Sequence, residues 1–230
     1  MGVEHLTGSL YRLLLGPFQA YLWRDPDGVT LVDTGAADAG ADIADALDEL
    51  GLAPPDIVRV VLTHFHDDHA GGAAEIRAWA AAEVIAHAAD AGYLTGRSPA
   101  PPPPFTGKQR ALLERLAHGV PPAPPVTVDR EVGDADVVPF GGGARVIATP
   151  GHTPGSIALY LPEHRVLFTG DTIAEHLGRV ILGPFNLDAE QAAQSMRRLA
   201  DLDVEVAVFG HGQPVLHGAG RLLRQAVAAD

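Results

Sequence analysis

Four side chains of metal-ligand type fall within six consecutive positions, His64-x-His66-x-Asp68-His69. The run follows a β-branched stretch, 57–62, that reads as a buried strand, and precedes 73–82, which reads as a helix. In an extended segment, residues two apart project to one side, so His64 and His66 can reach one cation together. Asp68 and His69 stand where the chain turns and can face a second cation a few ångströms away. Imidazole and carboxylate suit zinc and tolerate iron or manganese. The dipole of the following helix favours both the carboxylate and a bound hydroxide. A lone histidine after a strand is usually a surface residue, and a lone aspartate usually a turn or cap residue. Four ligand types so closely spaced have no such ordinary cause.

A binuclear centre needs roughly three protein ligands per metal plus bridging groups. Three further candidates stand at the ends of other strands. They are His152 in Thr149-Pro150-Gly151-His152-Thr153-Pro154-Gly155, Asp171 in Phe168-Thr169-Gly170-Asp171-Thr172, and His211 in Phe209-Gly210-His211-Gly212. Each lies beside glycine, which lets the backbone come close to a metal. Asp33, in Asp33-Thr34-Gly35, is one more acid after a short apolar run. Phe65 walls the site or belongs to the core. His176, five residues past Asp171, faces the substrate or an exposed loop. His87, His118, His164 and His217 read as surface or structural residues.

These side chains need rigid elements beneath them. Strands are expected at Leu10–Leu15, 20–24 and 29–32, with turns at Gly16-Pro17 and Asp25-Pro26-Asp27-Gly28. The stretch 38–50 has helical spacing, with Ile43, Ala46, Leu47 and Leu50 on one face and Gly51 as its stop. A strand at Glu83–His87 and a short helix at Ala88–Leu94 follow. The second half repeats the style, with strands at 137–140, 145–149, 156–161, 166–169 and 204–209. Helices are expected at 188–202, capped by Asp188, and at 220–228. Two strand-rich halves, each with helices, predict a sandwich with helices on both outer faces. Residues 95–127 differ, with prolines at both ends and a helical pattern over 107–118. This insertion is either a surface linker or a proline-braced flap beside the site.

The chain has 230 residues, a length that fits a single domain spanning 1–230. Its formal charge of −13 disfavours nucleic acid and anionic membrane as partners. With no Cys there is no disulfide, thiolate ligand or Cys nucleophile, and borderline-metal chemistry falls to the 11 His. The N-terminal stretch lacks a basic start, a long apolar run and a small-residue cleavage site, so a cytoplasmic protein is expected.

Asp33, the His64–His69 cluster, His152, Asp171 and His211 together resemble the five ordered motifs of the metallo-β-lactamase superfamily. That resemblance implies an α/β fold, an αββα four-layer sandwich with its metals at one edge between the sheets. It implies two zinc ions, with iron or manganese as alternatives. The first would take His64, His66 and His152, and the second Asp68, His69 and His211. Asp171 would bridge them, and Asp33 would orient the site. The implied reaction is attack of a metal-bridging hydroxide on an ester, thioester, lactone or related acyl bond of a small molecule, with Asp68 passing protons. The presence of both His69 and Asp171 is more like glyoxalase II and the lactonases than the β-lactamases themselves. The chain departs from quorum-quenching lactonases at Ala174, where they carry Tyr, and has only about 19 residues after His211 where glyoxalase II has a helical substrate domain. Two other readings use the same residues. One is a mononuclear iron sulfur dioxygenase built on His64, His66, His152 and one acid, and the other a non-catalytic metal-binding module.

Overall fold

Apolar residues occupy both faces of the stretch Phe18–Asp25, with Ala20 and Leu22 on one side and Tyr21 and Trp23 on the other. A strand so patterned must be covered on both faces. The computed structural model, which describes residues 2–229, places it inside a seven-stranded sheet. In spatial order this sheet holds β1 (Gly2–Thr7), β2 (Leu10–Leu15), β3 (Phe18–Asp25), β4 (Gly28–Val32), β5 (Ile57–Val61), β6 (Glu83–His87) and β7 (Arg130–Val132). The first four strands are antiparallel, and β4 to β7 run parallel. The second sheet begins with β8 (Val137–Val138), β9 (Ala144–Ala148), β10 (Ile157–Leu161) and β11 (Val166–Phe168). A separate hairpin, β12 (Ile173–His176) with β13 (Arg179–Leu182), follows before β14 (Val206–Val208) completes the second sheet in the order β14-β11-β10-β9-β8.

Strand alternation sorts the core into three layers. Tyr21, Trp23, Val32, Val61 and Ile85 point at Phe140, Leu159, Phe168 and Val208 of the second half, forming the seam between the sheets. Leu22, Leu31, Val60 and Val84 point the other way, onto Ile43 and Leu47 of α1 (Gly40–Glu49). A single helical turn, α2 (Asp67–Ala70), precedes α3 (Ala73–Ala80), whose Ile76 joins the same cluster. Next come α4 (Ala88–Leu94) and α5 (Gly107–Leu116). Ile147, Ala158 and Leu167 face outward from the second sheet, against Met196 and Leu199 of α6 (Ala189–Ala200) and Leu223 of α7 (Ala219–Ala229). The result is the αββα four-layer sandwich that the resemblance implied.

Several expected elements change their limits. The strands expected at 137–140 and 204–209 shorten to β8 and β14, because the chain turns into loops at Phe140 and Phe209. The first helix starts at Gly40 rather than at 38. The labelled elements not foreseen are β1, the single turn α2, β7 and the β12–β13 hairpin. β1 and β7 are the edge strands of the larger sheet, half covered, with a weak apolar signal. Within 95–127, no residue of α5 is buried, while Phe105 and Val126 anchor the segment. Among the described residues no helix is long and apolar enough to cross a membrane.

The parallel pairs fix where the loops gather. β4 and β5 run parallel, and β9, β11 and β14 share one direction through their pairing with β10 and with each other. Their C-terminal ends open on one edge of the sandwich, and the amide of Ile157 donates to the Thr63 carbonyl (2.9 Å) across the seam.

Candidate metal centre

The seven expected ligand-type residues arrive at that edge from four strand ends. His64 follows β5 in a bend, His66 stands in extended backbone, and Asp68 and His69 ride on the single turn α2. His152 follows β9, Asp171 lies in a 3-10 turn after β11, and His211 follows β14. Donor atoms of His64, His66 and His152 lie within 4.8 Å of one another, as do those of Asp68, His69 and His211 and those of His64, His69 and Asp171. His66 Nδ1 is 3.0 Å from both His64 Nε2 and His152 Nε2. In the other group His211 Nε2 is 3.3 Å from Asp68 Oδ2 and 3.4 Å from His69 Nε2. Asp171 stands between the groups, with Oδ1 3.3 Å from His69 Nε2 and Oδ2 3.3 Å from His211 and 3.6 Å from His152.

Asp33 sits behind this cluster, 4% exposed, and holds a left-handed backbone (φ 63°) that Asp tolerates better than most residues. Its Oδ1 accepts from the Thr63 amide (2.8 Å), and its Oδ2 accepts from Thr63 Oγ1 (2.8 Å) and His69 Nδ1 (2.9 Å). The Thr63 hydroxyl has one proton and gives it to Asp33, so its oxygen accepts from His64 Nδ1 (3.0 Å). Both His64 and His69 therefore carry their ring proton on Nδ1 toward Asp33 or its partner and turn Nε2 into the cluster. The His69 carbonyl accepts from both the amide (2.7 Å) and the hydroxyl (2.8 Å) of Thr34. Asp33-Thr34-Gly35 thus fastens the α2 turn to the end of β4.

The charges are strongly perturbed. Burial, with His69 and His66 nearby, holds His64 well below the usual imidazole range, and burial with His152 brings His66 to about 3. These rings are neutral and keep lone pairs to share. Burial also opposes a charge on His69, but Asp171, Asp68 and Asp33 outweigh it and hold the ring well above the usual value. Asp171 raises His211 to about 10. Burial disfavours ionised Asp171 and Asp68, yet His211 and His69 keep Asp171 well below the carboxylate range, and His69 with a His211 hydrogen bond keeps Asp68 at about 2. One half is thus a neutral nest of three imidazoles and the other a knot of two imidazoliums and two carboxylates.

The donor set fits divalent cations. Four-coordinate zinc with Zn–N bonds of about 2.0–2.1 Å spaces its ligand atoms by about 3.3 Å, close to the separations here. Asp171 Oδ1 is buried and takes no hydrogen bond of good geometry, as expected of an oxygen shaped for a cation. A Cβ at Gly210 would overlap the Asp171 carboxylate and crowd His69, so glycine alone lets the β14 loop approach this closely.

Other expected residues fall outside the cluster. His176 is exposed at the end of β12, paired across the hairpin with Arg179. Phe65 packs on the outer core and also lines a cavity of about 170 Å³ with His66, Tyr93, Leu94, Ala100 and Pro124. His87 caps α4, His164 packs tilted against Trp23, and His118 and His217 are exposed. Besides Ala100 and Pro124 in that cavity, the stretch 95–127 makes two further contacts. Ala123 N donates to Asp67 Oδ1 (2.8 Å), and Phe105 meets Phe185 edge-on at 5.6 Å.

Three supporting groups were missed from sequence. Asp90 is 1% exposed and lies beneath the His64–His66 and His152 loops; burial raises its carboxyl to about 6 against its hydrogen bonds. Gln19 and Tyr21 hold the His211 loop. Gln19 Nε2 donates to the carbonyls of Phe209 (2.8 Å) and Gly212 (3.1 Å), and the Tyr21 hydroxyl donates to Phe209 O (2.7 Å). A glutamine alternating with a tyrosine inside an apolar strand was the available signal.

Comparison with known proteins gives a consistent family. A family model described as the metallo-beta-lactamase superfamily matches residues 16–211. The chain is 32% identical over 210 residues to the probable metallo-hydrolase YflN of Bacillus subtilis, covering 83% of this chain and 78% of that one. It is 34% identical over 172 residues to a hydroxyacylglutathione hydrolase of Cereibacter sphaeroides, covering 74% of this chain but only 52% of that enzyme. Among solved structures, a metallo-beta-lactamase family protein of Thermus thermophilus superposes with a TM-score of 0.71 at 29% identity, covering 98% of this chain and 79% of that one.

Proposed function

The chain belongs to the metallo-β-lactamase superfamily, and on that premise we propose that it is a binuclear hydrolase of small-molecule esters, thioesters, lactones or related acyl compounds. Its relatives carry the names metallo-hydrolase and hydroxyacylglutathione hydrolase, and the chain is a metal-dependent hydrolase. The observation that carries the binuclear reading is Asp171, whose carboxylate stands between two complete three-residue donor groups. In this reading His64, His66 and His152 hold one cation, Asp68, His69 and His211 hold the other, and Asp171 is shared. Zinc suits the donors best, with iron or manganese as alternatives.

Bound there, two cations would supply Lewis acidity and would lower the pKa of water to near 7. The chain supplies the remainder. Asp33 holds the Nδ1 proton of His69 directly and that of His64 through Thr63, so His64 presents its Nε2 lone pair as it stands and His69 does so once its Nε2 proton leaves. Asp68, with a side chain 24% exposed, stands at the solvent side of the cluster and can take and return a proton. The cavity walled by Phe65, Tyr93 and Leu94 beside His66 is sized for a compact apolar part of the substrate. The acidic surface favours a small molecule over nucleic acid or a membrane as partner.

Elemental analysis of the purified protein and of His64→Ala tests the reading. Two metals per chain, reduced in the variant, together with turnover of an ester, thioester or lactone panel, support it. A single iron with sulfur-dependent oxygen uptake would replace it with the mononuclear oxygenase, and metal without turnover of any acyl compound with a binding module.

A further inference from the structure

Asp90 lies in the first turn of α4 and forms no salt bridge among the described residues. A carboxylate buried in this way is costly unless its oxygens are filled by hydrogen bonds. Three donors fill them. Oδ2 accepts from the Phe65 amide (3.2 Å) and from Thr153 Oγ1 (2.7 Å), and Oδ1 accepts from the Gly155 amide (2.7 Å). The donors come from two loops on two different sheets. Phe65 sits between His64 and His66 after β5, and Thr153 follows His152 after β9. Position 155 is tailored to this carboxylate, because a Cβ there would come within 2.6 Å of its carbon and of Oδ1.

We propose that Asp90 is a positioning residue that clamps the His64–His66 loop to the His152 loop and so sets the spacing of the three-imidazole half of the centre. The inference rests on the reading that these imidazoles hold a metal. Asp33 has the corresponding task for His69 and, through Thr63, for His64. Among the described residues its side chain makes no hydrogen bond to the His152 loop, and Asp90 supplies that missing tie. An apolar side chain of similar size would fill the space, but it would leave the part-buried Phe65 amide and the buried Gly155 amide without acceptors and the two loops unlinked.

The test separates the two halves. In a His211→Ala background the three-imidazole group is the intact one, and in a His66→Ala background the other group is. Zinc affinity is measured in each by competition with a chromophoric chelator, with and without Asp90→Ala. Loss of a group that orients metal ligands typically costs about 10–100-fold in affinity. The expected result is a loss of that order in the His211→Ala background and a change under about threefold in the His66→Ala background. Thr153→Val removes a single hydrogen bond and is read in the same way if Asp90→Ala does not fold, with a smaller loss of the same selectivity. Equal losses in both backgrounds, or none in either, overturn the proposal and leave Asp90 a residue of the general fold, read in the melting temperature of the metal-free protein. Metal binding without acyl turnover in the wild type would sink the hydrolase reading while leaving the clamp standing, and a wild type that takes up neither zinc, iron nor manganese would sink both.

Discussion

Replacing Asp33 with Asn removes one charge, keeps the shape and retains a residue that accepts a left-handed backbone. Asp33 receives three donors, and two of them, Thr63 Oγ1 and His69 Nδ1, share Oδ2. Asn has one acceptor oxygen. If that oxygen keeps the Oδ2 place, the new NH2 faces the buried Thr63 amide, and an unsatisfied buried N–H costs about 1–3 kcal/mol. The bond to His69 also loses its charge assistance, roughly half its strength. If the amide flips, its NH2 meets His69 Nδ1–H and drives the ring to the tautomer with its proton on Nε2, the atom aimed into the cluster. Either way the second cation's affinity should fall by about 10–100-fold, the usual loss for such a partner. That is about 1.4–2.8 kcal/mol, in line with the hydrogen-bond estimate. The assay is chelator competition on metal-depleted protein, followed by hydrolysis after titration with zinc. A variant whose two affinities stay within about threefold of wild type, with unchanged turnover, would refute the claim that Asp33 sets the tautomers.

Zinc uptake at pH 7 should release about two protons per chain, because His69 and His211 are both held protonated before loading, and release should decline as pH passes about 10; calorimetry in buffers of different ionisation enthalpy measures it. His211, raised to about 10 by Asp171, stabilises the metal-free fold fully below about pH 6.5, and this is lost as pH rises toward 10. Asp68, held at about 2, contributes above about pH 4, and this is lost as pH falls toward 2. The melting temperature of metal-free protein should therefore decline from pH 6.5 to 10, while zinc-loaded protein stays nearly flat. Gln19→Leu withdraws the donor shared by Phe209 O and Gly212 O, and should weaken the cation at His211 about tenfold while sparing the three-imidazole group, read by the same competition. Asp67→Ala frees the 95–127 stretch from the motif loop at Ala123, and should raise KM several-fold at unchanged metal content; an unchanged KM would mean that this stretch does not border the substrate.

The sequence made the cluster legible because its donors are rare residue types at strand ends. Four sit in one short motif, and the other three stand alone beside glycines. The long strands and amphipathic helices were also readable, since Ile43, Ala46 and Leu47 repeat with the helical period and residues 20–23 are apolar throughout. What escaped was held by pairing rather than by pattern. β7 has three residues, and its register with β6 comes from a partner 45 positions earlier. The β12–β13 hairpin turns through Leu177 at φ 52° and Gly178, without the Asn-Gly or Asp-Gly signal that marks such turns. Asp90 escaped because an aspartate in the first turn of a short helix is ordinary; only the folded chain puts Phe65, Thr153 and Gly155 around it.

The ties around the cluster share one logic. Asp33 joins the end of β4 to the turn after β5, Asp90 joins that same loop to the one after β9, and Gln19 with Tyr21 joins β3 to the loop after β14. No donor group is completed by one loop: His64 and His66 need His152 from the other sheet, and Asp68 and His69 need His211. The distance between the sheets is therefore a coordinate of the metal site, and Phe140, Phe168 and Trp23 in the seam set it. A cation taken up by either group bridges the two sheets and binds only the folded chain, so it stabilises the sandwich in proportion to the logarithm of its free concentration. The acids that hold the loops apart from the metal make that bridge selective. They fix ring orientation before a cation arrives, so the cost of ordering three imidazoles is met during folding rather than at binding.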